Sequence, residues 1–289
     1  MNEGNPVILP PTDEPDFRDP KVFWYEKGGY WVMVISVGPK VGFYTSPNLK
    51  DWTSTSQFST GYGTHGRPWE VPDLFELPTL GGKRNKWVLT VSVMAGGLHD
   101  GRGVQYFIGE FDGQTFISDD PPERIRWLDY GADFYANISW SDMPDSRRIL
   151  LGWMSNWTYA HDIPTQGWRG AMSLPRDVSL ITVGDDVQLA QQPIQELSRL
   201  WSKSYDSANQ LPLTLECDGL DIHVQFDVPT RNMKRFGLIL RWANGCSCRI
   251  GINCEQKEVY IDRTEANDFT IHDIFNAIHT APLRWDDNS

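Results

Sequence analysis

The sequence predicts an all-β protein in which propeller blades are followed by part of a β-sandwich. From Lys21 to about Leu180, apolar runs of roughly four to eight residues alternate with Gly, Pro, Asn and Asp, which is the pattern of short antiparallel strands. This span contains no recognisable amphipathic helix. A loose repeat of strand, turn and strand ending near a surface aspartate occurs three times in it, which favours blades over a barrel.

The predicted strands of this span begin with Val22–Tyr25, which follows the short charged loop Asp16–Lys21. The strands after it are aromatic-rich or β-branched, as strands usually are; they are Tyr30–Ser36, Lys86–Val93, Gln105–Phe111 and Arg148–Trp153. The three repeats run from Tyr30 to Trp52, from Lys86 to Phe116 and from Asp133 to Asp177.

A second unit is predicted after the polar connector Gln191–Leu197, which has moderate helical tendency. Three stretches beyond it alternate apolar and polar residues, as in the strands of a sandwich; they are Leu220–Phe226, Phe236–Trp242 and Glu258–Asp262. We therefore expect a propeller domain over residues 1–190, a linker over 191–205 and a C-terminal domain over 206–289. Few strands are available there for two sheets, so we expect only part of a sandwich.

The charge and aromatic content bear on possible partners. The net charge of −12 and the pI of about 4.9 argue against binding to nucleic acid or to an anionic membrane surface. The 13 Trp, 10 Tyr and 13 Phe residues are mostly expected to fill cores, but aromatic faces also suit sugar rings. The composition therefore favours a neutral substrate.

The sequence contains no apolar run of membrane-spanning length, and Met1–Asn5 is too polar for a signal peptide. Translation starting at Met1 would therefore give a cytoplasmic protein. Asn137 and Asn156 begin glycosylation sequons, which matter only in a secreted protein and also arise by chance. The four cysteines, all in the last quarter, lack zinc-site spacing, so we expect free thiols or one disulfide. No metal or organic cofactor is predicted.

Two carboxylates are candidates for chemistry. Glu70 lies between Trp69 and Val71-Pro72, and apolar neighbours that exclude water favour the protonated form of a carboxyl group and so a proton donor. The alternative is a solvated glutamate at a strand end. Asp19 follows Arg18, whose guanidinium can bind an anion or a sugar hydroxyl. Two carboxylates from separate strand ends are what glycosidic bond cleavage requires.

Successive motifs resemble the signatures of glycoside hydrolase family 32, the β-fructosidases, which include invertases, exo-inulinases and levanases. They are Phe17–Phe23, Trp69–Phe75, Asp129–Ala136, and Gly152–Trp157 with Gly167–Arg176; Gln192–Leu197 and Val259–Arg263 extend the resemblance along the chain. The resemblance implies a five-bladed propeller with a funnel-shaped pocket, followed by a β-sandwich. It also implies a retaining mechanism that acts on inulin, levan or sucrose without a cofactor.

The resemblance assigns roles residue by residue. Glu70 is the expected acid/base and Asp19 the transition-state stabiliser, with Arg18 as its pocket neighbour. Trp153 or Trp157 is the expected aromatic wall, the other lying inside a blade. Asp133 is similar to an acidic pocket residue, although a turn-forming aspartate is an equal alternative.

The departures from the family pattern affect the expected activity. The nucleophile of the family lies in an Asn-Asp-Pro phrase that occurs nowhere in these 289 residues, so no nucleophile is found in this chain. The resemblance implies that the first blade and part of the second are absent and that the chain is truncated at both ends. Val71 stands where the family usually has a cysteine. We therefore expect little or no hydrolysis, with a non-catalytic fructan-binding protein or fructosyl transfer as alternatives.

Overall fold

The computed structural model describes residues 4–59, 61–79, 84–205, 212–216, 219–226, 233–267 and 269–283. Within these ranges, strands that pair in chain order form four four-stranded antiparallel sheets. Helical structure is limited there to α1 (Leu98–Gly101) and two 3-10 helices, Pro144–Ser146 and Gln195–Leu200. The all-β fold class predicted from the sequence is confirmed.

Each of the first three sheets is an up-and-down meander, the form of a propeller blade. Sheet A consists of β1 (Phe17–Tyr25), β2 (Tyr30–Val37), β3 (Val41–Ser46) and β4 (Thr53–Phe58). Sheet B consists of β5 (Trp69–Pro78), β6 (Asn85–Gly97), β7 (Arg102–Phe111) and β8 (Phe116–Ser118). Sheet C consists of β9 (Tyr135–Ser139), β10 (Arg148–Trp153), β11 (Arg176–Val183) and β12 (Asp186–Pro193).

The blades pack face to face, with sheet B between the other two. Side chains of a strand point alternately to its two faces, so Leu89 of β6 joins the core shared with sheet A, while Val88 joins the core shared with sheet C. This packing explains why β6 is buried without interruption from Trp87 to Val93. The first strand of each blade contacts the first strand of the next, β1 with β5 and β5 with β9, so these three strands lie on the inner side of the assembly.

The first strand of each blade contains a β-bulge at the same place, near its beginning. In each case the pairing skips one extra residue relative to the neighbouring strand, and the bulges begin at Arg18, Glu70 and Tyr135. The second residue of each bulge has left-handed backbone: Asp19 (φ 60°), Val71 (φ 48°) and Ala136 (φ 50°). Bulges re-aim side chains and are common next to active sites.

The fourth sheet belongs to the C-terminal part and consists of β13 (Arg235–Arg241), β14 (Ser247–Asn253), β15 (Glu258–Asp262) and β16 (Ile278–Pro282). Two of the predicted strands correspond to β13 and β15. The predicted strand Leu220–Phe226 was wrong, because residues 219–226 form no strand. Its alternating apolar side chains instead lie over the apolar face of β13 and β14, with the rings of Phe226 and Phe236 5.0 Å apart. Packing on a face produces the same alternation as pairing at an edge.

Candidate active site

The three bulges bring their first residues into direct contact. Arg18 Nη2 donates a hydrogen bond to Glu70 Oε1 at 2.9 Å, and the Tyr135 hydroxyl donates to Glu70 Oε2 at 2.5 Å. The Glu70 side chain is 16% exposed. A carboxylate from the central blade is therefore held from both sides by donors from the neighbouring blades.

Asp19 lies next to this group. Its Oδ2 accepts a hydrogen bond from the backbone N–H of Val71 at 3.1 Å and lies 3.9 Å from Arg18 Nε. The left-handed backbone of Val71 aims that N–H across to the neighbouring blade. The structure thus brings together the three residues that the sequence singled out, Arg18, Asp19 and Glu70.

The charges of the group follow from these contacts. The hydrogen bond to Asp16, and then the one to Glu70, raises the pKa of Arg18 well above its usual range, so Arg18 remains a cation. Burial, and then the hydrogen bond to Glu70, raises the pKa of Tyr135 far above that of a free phenol. Tyr135 is therefore neutral at any working pH and retains its hydroxyl proton.

A polar network lies beside these contacts. Lys21 Nζ lies 3.5 Å from Asp73 Oδ1 and donates to the Ser139 carbonyl at 2.7 Å. Asp73, fully buried, accepts the Ser139 N–H at 2.6 Å. Because these residues come from β1, β5 and β9, the network ties the three inner strands together.

Trp153 lies beside Tyr135. The two residues are register partners in the β9–β10 pair, and the ring of Trp153 lies 4.8 Å from that of Trp157 at an angle of 54°. Trp157 is the more exposed, at 47%. Gly170 approaches the Trp153 indole so closely that a Cβ there would lie 2.7 Å from Nε1. Trp153 is thus next to Tyr135 in the sheet and packed against Gly170, while Trp157 is the more solvent-exposed of the two rings.

Asp133 has different partners. One carboxylate oxygen accepts the Tyr159 hydroxyl, and the other accepts Arg263 Nη1 at 2.8 Å. Arg263 directly follows β15, so this pair joins sheet C to the C-terminal sheet. Asp133 is only two residues from Tyr135 in the chain, but its hydrogen bonds lead away from Glu70.

Sequence reasoning did not assign a role to Tyr135, although the residue lies inside one of the motifs. Its only signal in the sequence is its place in the Asp129–Ala136 motif. Its contact with Glu70 becomes apparent only in the structure, where Arg18, Glu70 and Tyr135 each begin an equivalent bulge. That equivalence depends on the register of three separate strand pairs.

Several other predicted features have a clear structural setting. The sequon residues Asn137 and Asn156 are both buried, and their side-chain amides donate to Thr90 Oγ1 and the Ala132 carbonyl, respectively. The folded protein does not present them for glycosylation. Cys246, Cys248 and Cys254 are free thiols, and Cys217 lies outside the described residues. Within the described part of the chain, no helix is long and apolar enough to cross a membrane.

The profile of the glycosyl hydrolases family 32 N-terminal domain matches residues 1–193. The chain belongs to glycoside hydrolase family 32. The profile of the family 32 C-terminal region matches residues 188–289. The resemblance drawn from the motifs is thereby confirmed.

Family 32 relatives match almost the whole chain. The levanase of Bacillus subtilis is 43% identical over 293 residues, which cover 97% of this chain and 43% of the levanase. The extracellular exo-inulinase of Aspergillus niger is 34% identical, with 99% of this chain and 57% of the inulinase covered. The chain thus spans about half the length of these relatives.

Solved structures of family 32 proteins share the fold. The exo-inulinase of Aspergillus awamori superposes with a TM-score of 0.79 and 31% identity, covering 98% of this chain and 59% of the inulinase. The fructofuranosidase of Schwanniomyces occidentalis complexed with fructose gives a TM-score of 0.77 and 30% identity, covering 99% and 60%.

Proposed function

We propose that this chain carries the acid/base part of a retaining β-fructosidase active site, which acts on the terminal fructose of levan, inulin or sucrose. The observation that carries the proposal is the carboxylate of Glu70 held between Arg18 and Tyr135, with Asp19 beside it, in a family 32 chain. Glu70 would protonate the leaving-group oxygen and then deprotonate the attacking water. The similarity to a levanase, an exo-inulinase and a fructofuranosidase supports this substrate class.

The neighbouring residues suit the roles expected of them. Asp19 presents a carboxylate that is 30% exposed and is fixed by the Val71 N–H, so it can accept hydrogen bonds from fructose hydroxyls and stabilise an oxocarbenium-like transition state. Arg18 holds Glu70 and lies near Asp19. Trp153 would form the aromatic wall against the sugar ring. Asp133 would be an acidic pocket residue whose carboxylate is oriented by Tyr159 and Arg263.

We further infer that the 289 residues by themselves hydrolyse fructosides weakly or not at all. A retaining glycosidase divides one difficult step into two by forming a covalent intermediate, and loss of the nucleophile removes many orders of magnitude of rate. The Asn-Asp-Pro phrase expected to supply it does not occur in the sequence. Because a relative, the exo-inulinase of Aspergillus niger, is extracellular, we also propose that this protein acts outside the cell.

A non-catalytic fructan-binding protein is the alternative function, favoured by the missing nucleophile phrase. The two hydrogen bonds on Glu70 argue for the acid/base role, because binding alone does not require a positioned proton donor. Fructosyl transfer would use the same residues as hydrolysis and differs in the acceptor.

The test uses the purified chain with levan, inulin and sucrose. Fructose release is measured beside the Bacillus subtilis levanase, and binding of a fructose-terminated oligosaccharide is measured by calorimetry. We expect binding with little or no release. We expect Asp19→Asn to weaken binding about tenfold or more, because a hydrogen bond to a charged group is lost. The control Asp51→Asn, on an exposed turn, should bind as the parent does.

Each outcome bears on a separate part of the proposal. Release at the rate of the levanase would contradict the inferred inactivity and leave the substrate class standing. Full binding by Asp19→Asn would contradict the role of Asp19. If any residual release disappears in Glu70→Gln while binding persists, the acid/base role is supported; an unchanged release would contradict it. No release in the parent, with unchanged binding in Glu70→Gln, would favour the binding protein.

A further inference from the structure

The two oxygens of the Glu70 carboxylate face donors of different chemistry. Oε1 accepts the charged guanidinium of Arg18 at 2.9 Å, and Oε2 accepts the phenol of Tyr135 at 2.5 Å. With only 16% of the side chain exposed, these protein contacts dominate its surroundings. A proton on either carboxyl oxygen of Glu70 must therefore be compatible with the hydrogen bond that this oxygen already makes.

Arg18 and Tyr135 differ in whether they can accept a hydrogen bond as well as donate one. A guanidinium can only donate hydrogen bonds, whereas a phenolic hydroxyl can donate or accept. If Glu70 carried its proton on Oε1, an O–H group would point at N–H groups, and the contact with Arg18 would be lost. A proton on Oε2 keeps both contacts, since the Tyr135 hydroxyl only has to turn from donor to acceptor.

We propose that Glu70 carries its acid proton on Oε2 and that Tyr135 is the positioning residue that holds this oxygen. The proposal deepens the acid/base role given above and rests on it. In the transfer, the Oε2–H group turns from Tyr135 to the leaving-group oxygen. The Oε2–H bond then breaks and an O–H bond forms on that oxygen, which takes the electron pair of the glycosidic C–O bond. The Tyr135 hydroxyl then turns back and donates to the new carboxylate.

The surroundings of the pair support this assignment. On β1 and just before it, Arg18 contacts Glu70, and Asp16 and Asp19 lie against Arg18; Arg102 at the start of β7 acts electrostatically on Tyr135. Arg18 keeps its charge, because Asp16 and Glu70 raise its pKa. Tyr135 begins the bulge in β9, so its position is set by the backbone.

Two measurements test the proposal on the intact chain, and neither requires turnover. The first is the infrared carbonyl stretch of protonated Glu70, isolated by subtracting the spectrum of Glu70→Gln. The second is the pH midpoint at which the carboxyl carbon of Glu70 titrates in protein labelled with 13C at the glutamate carboxyl. Both are recorded for the parent, Tyr135→Phe and Arg18→Met, with Tyr159→Phe as control because its hydroxyl also binds a partly buried carboxylate.

We expect Tyr135→Phe to move the titration midpoint upward by about one pH unit, because the carboxylate loses a stronger hydrogen bond than the protonated form does. The carbonyl band should stay in place in this variant, because the carbonyl oxygen is Oε1. Arg18→Met should raise the carbonyl frequency, because that oxygen loses a cation. Tyr159→Phe should leave both values unchanged.

A carbonyl band that rises in Tyr135→Phe and stays in place in Arg18→Met would put the proton on Oε1 and overturn the assignment. A midpoint unchanged in Tyr135→Phe would overturn the positioning role. If Tyr135→Phe fails to fold, the band in Arg18→Met still decides which oxygen is the carbonyl. These outcomes are independent of whether the chain releases fructose.

Discussion

Val71 shows how a single backbone conformation serves the site. A β-branched residue at φ 48° is an outlier, since β-carbon branching crowds the left-handed region. The conformation directs the Val71 N–H to Asp19 Oδ2 at 3.1 Å and lets Glu70 reach both neighbouring blades. Strain of this kind persists where the surrounding structure enforces it, often at functional sites.

Replacing Val71 with glycine tests this interpretation. Glycine adopts positive φ without steric cost, so relief of strain offsets the lost side chain, and we expect the free energy of unfolding to change by less than about 1 kcal/mol. Val187→Gly, at a half-buried valine in the regular strand β12, should cost more. Urea unfolding of both variants measures the difference. An equal or larger loss in Val71→Gly would show that Val71 is not strained.

At the scale of the elements, salt bridges hold the segment between β8 and β9 against sheet C. Arg126, with a side chain that is 9% exposed, binds Asp120 at 2.5 Å and Asp186 at 2.8 Å. Partial burial acts to raise the pKa of Asp186, but hydrogen bonds from Arg124 and Arg126 outweigh it and lower the pKa to about 2. Asp186 therefore stabilises the fold above about pH 4, and its contribution is lost as the pH falls through about 2.

Arg126→Met should destabilise the protein by about 3 kcal/mol, because it leaves the buried Asp120 carboxylate without this cation. Arg249→Met is the matched control. Arg249 also binds two carboxylates, but its side chain is 37% exposed, so solvent screens both ion pairs and we expect a much smaller cost. Denaturant unfolding at pH 7 provides the comparison. Equal losses in the two variants would mean that burial of the Arg126 network contributes nothing extra.

At the scale of the whole molecule, the C-terminal sheet is joined to the propeller by buried polar contacts. Arg263 binds Asp133, and the ring of His279 on β16 lies 4.3 Å from that of His99 in α1. Burial lowers the pKa of His279 to about 4, and electrostatic interactions with Arg263 and His99 act in the same direction. His279 is therefore neutral in the folded protein at pH 7.

The lowered pKa of His279 predicts a loss of folding stability in mild acid. The unfolded chain binds a proton at His279 near pH 6.5 while the folded chain does not, so stability is full above about pH 6.5 and falls as the pH drops toward 4. We expect His279 to account for about 2 kcal/mol of lost unfolding free energy between pH 7 and pH 5. His279→Gln should flatten the curve by that amount, and His223→Gln, at an exposed histidine, should not. Equal slopes in the parent and His279→Gln would contradict the prediction.

The strand pattern was predictable because period-two alternation and turn residues are local signals. The five stretches that the sequence indicated as strands lie in β1, β2, β6, β7 and β10 of the three blades. Leu220–Phe226 was misread for the same reason, since its alternation fits a strand and also fits a segment lying across a sheet face. The local pattern shows only that one side of the segment is apolar. Which part of the chain covers that side depends on long-range contacts.

By itself, the sequence determined the fold class, the family and the three charged residues of the site, Arg18, Asp19 and Glu70, because each lies in a short phrase with its own chemistry. Only the tertiary structure decided that Tyr135 shares Glu70 with Arg18 and that Asp133 is bonded to Arg263, 130 residues away. Those contacts depend on bulge register and on the packing of separate sheets. Contacts between residues far apart in the sequence depend on how the whole chain folds. The sequence next to each of these residues therefore does not reveal them.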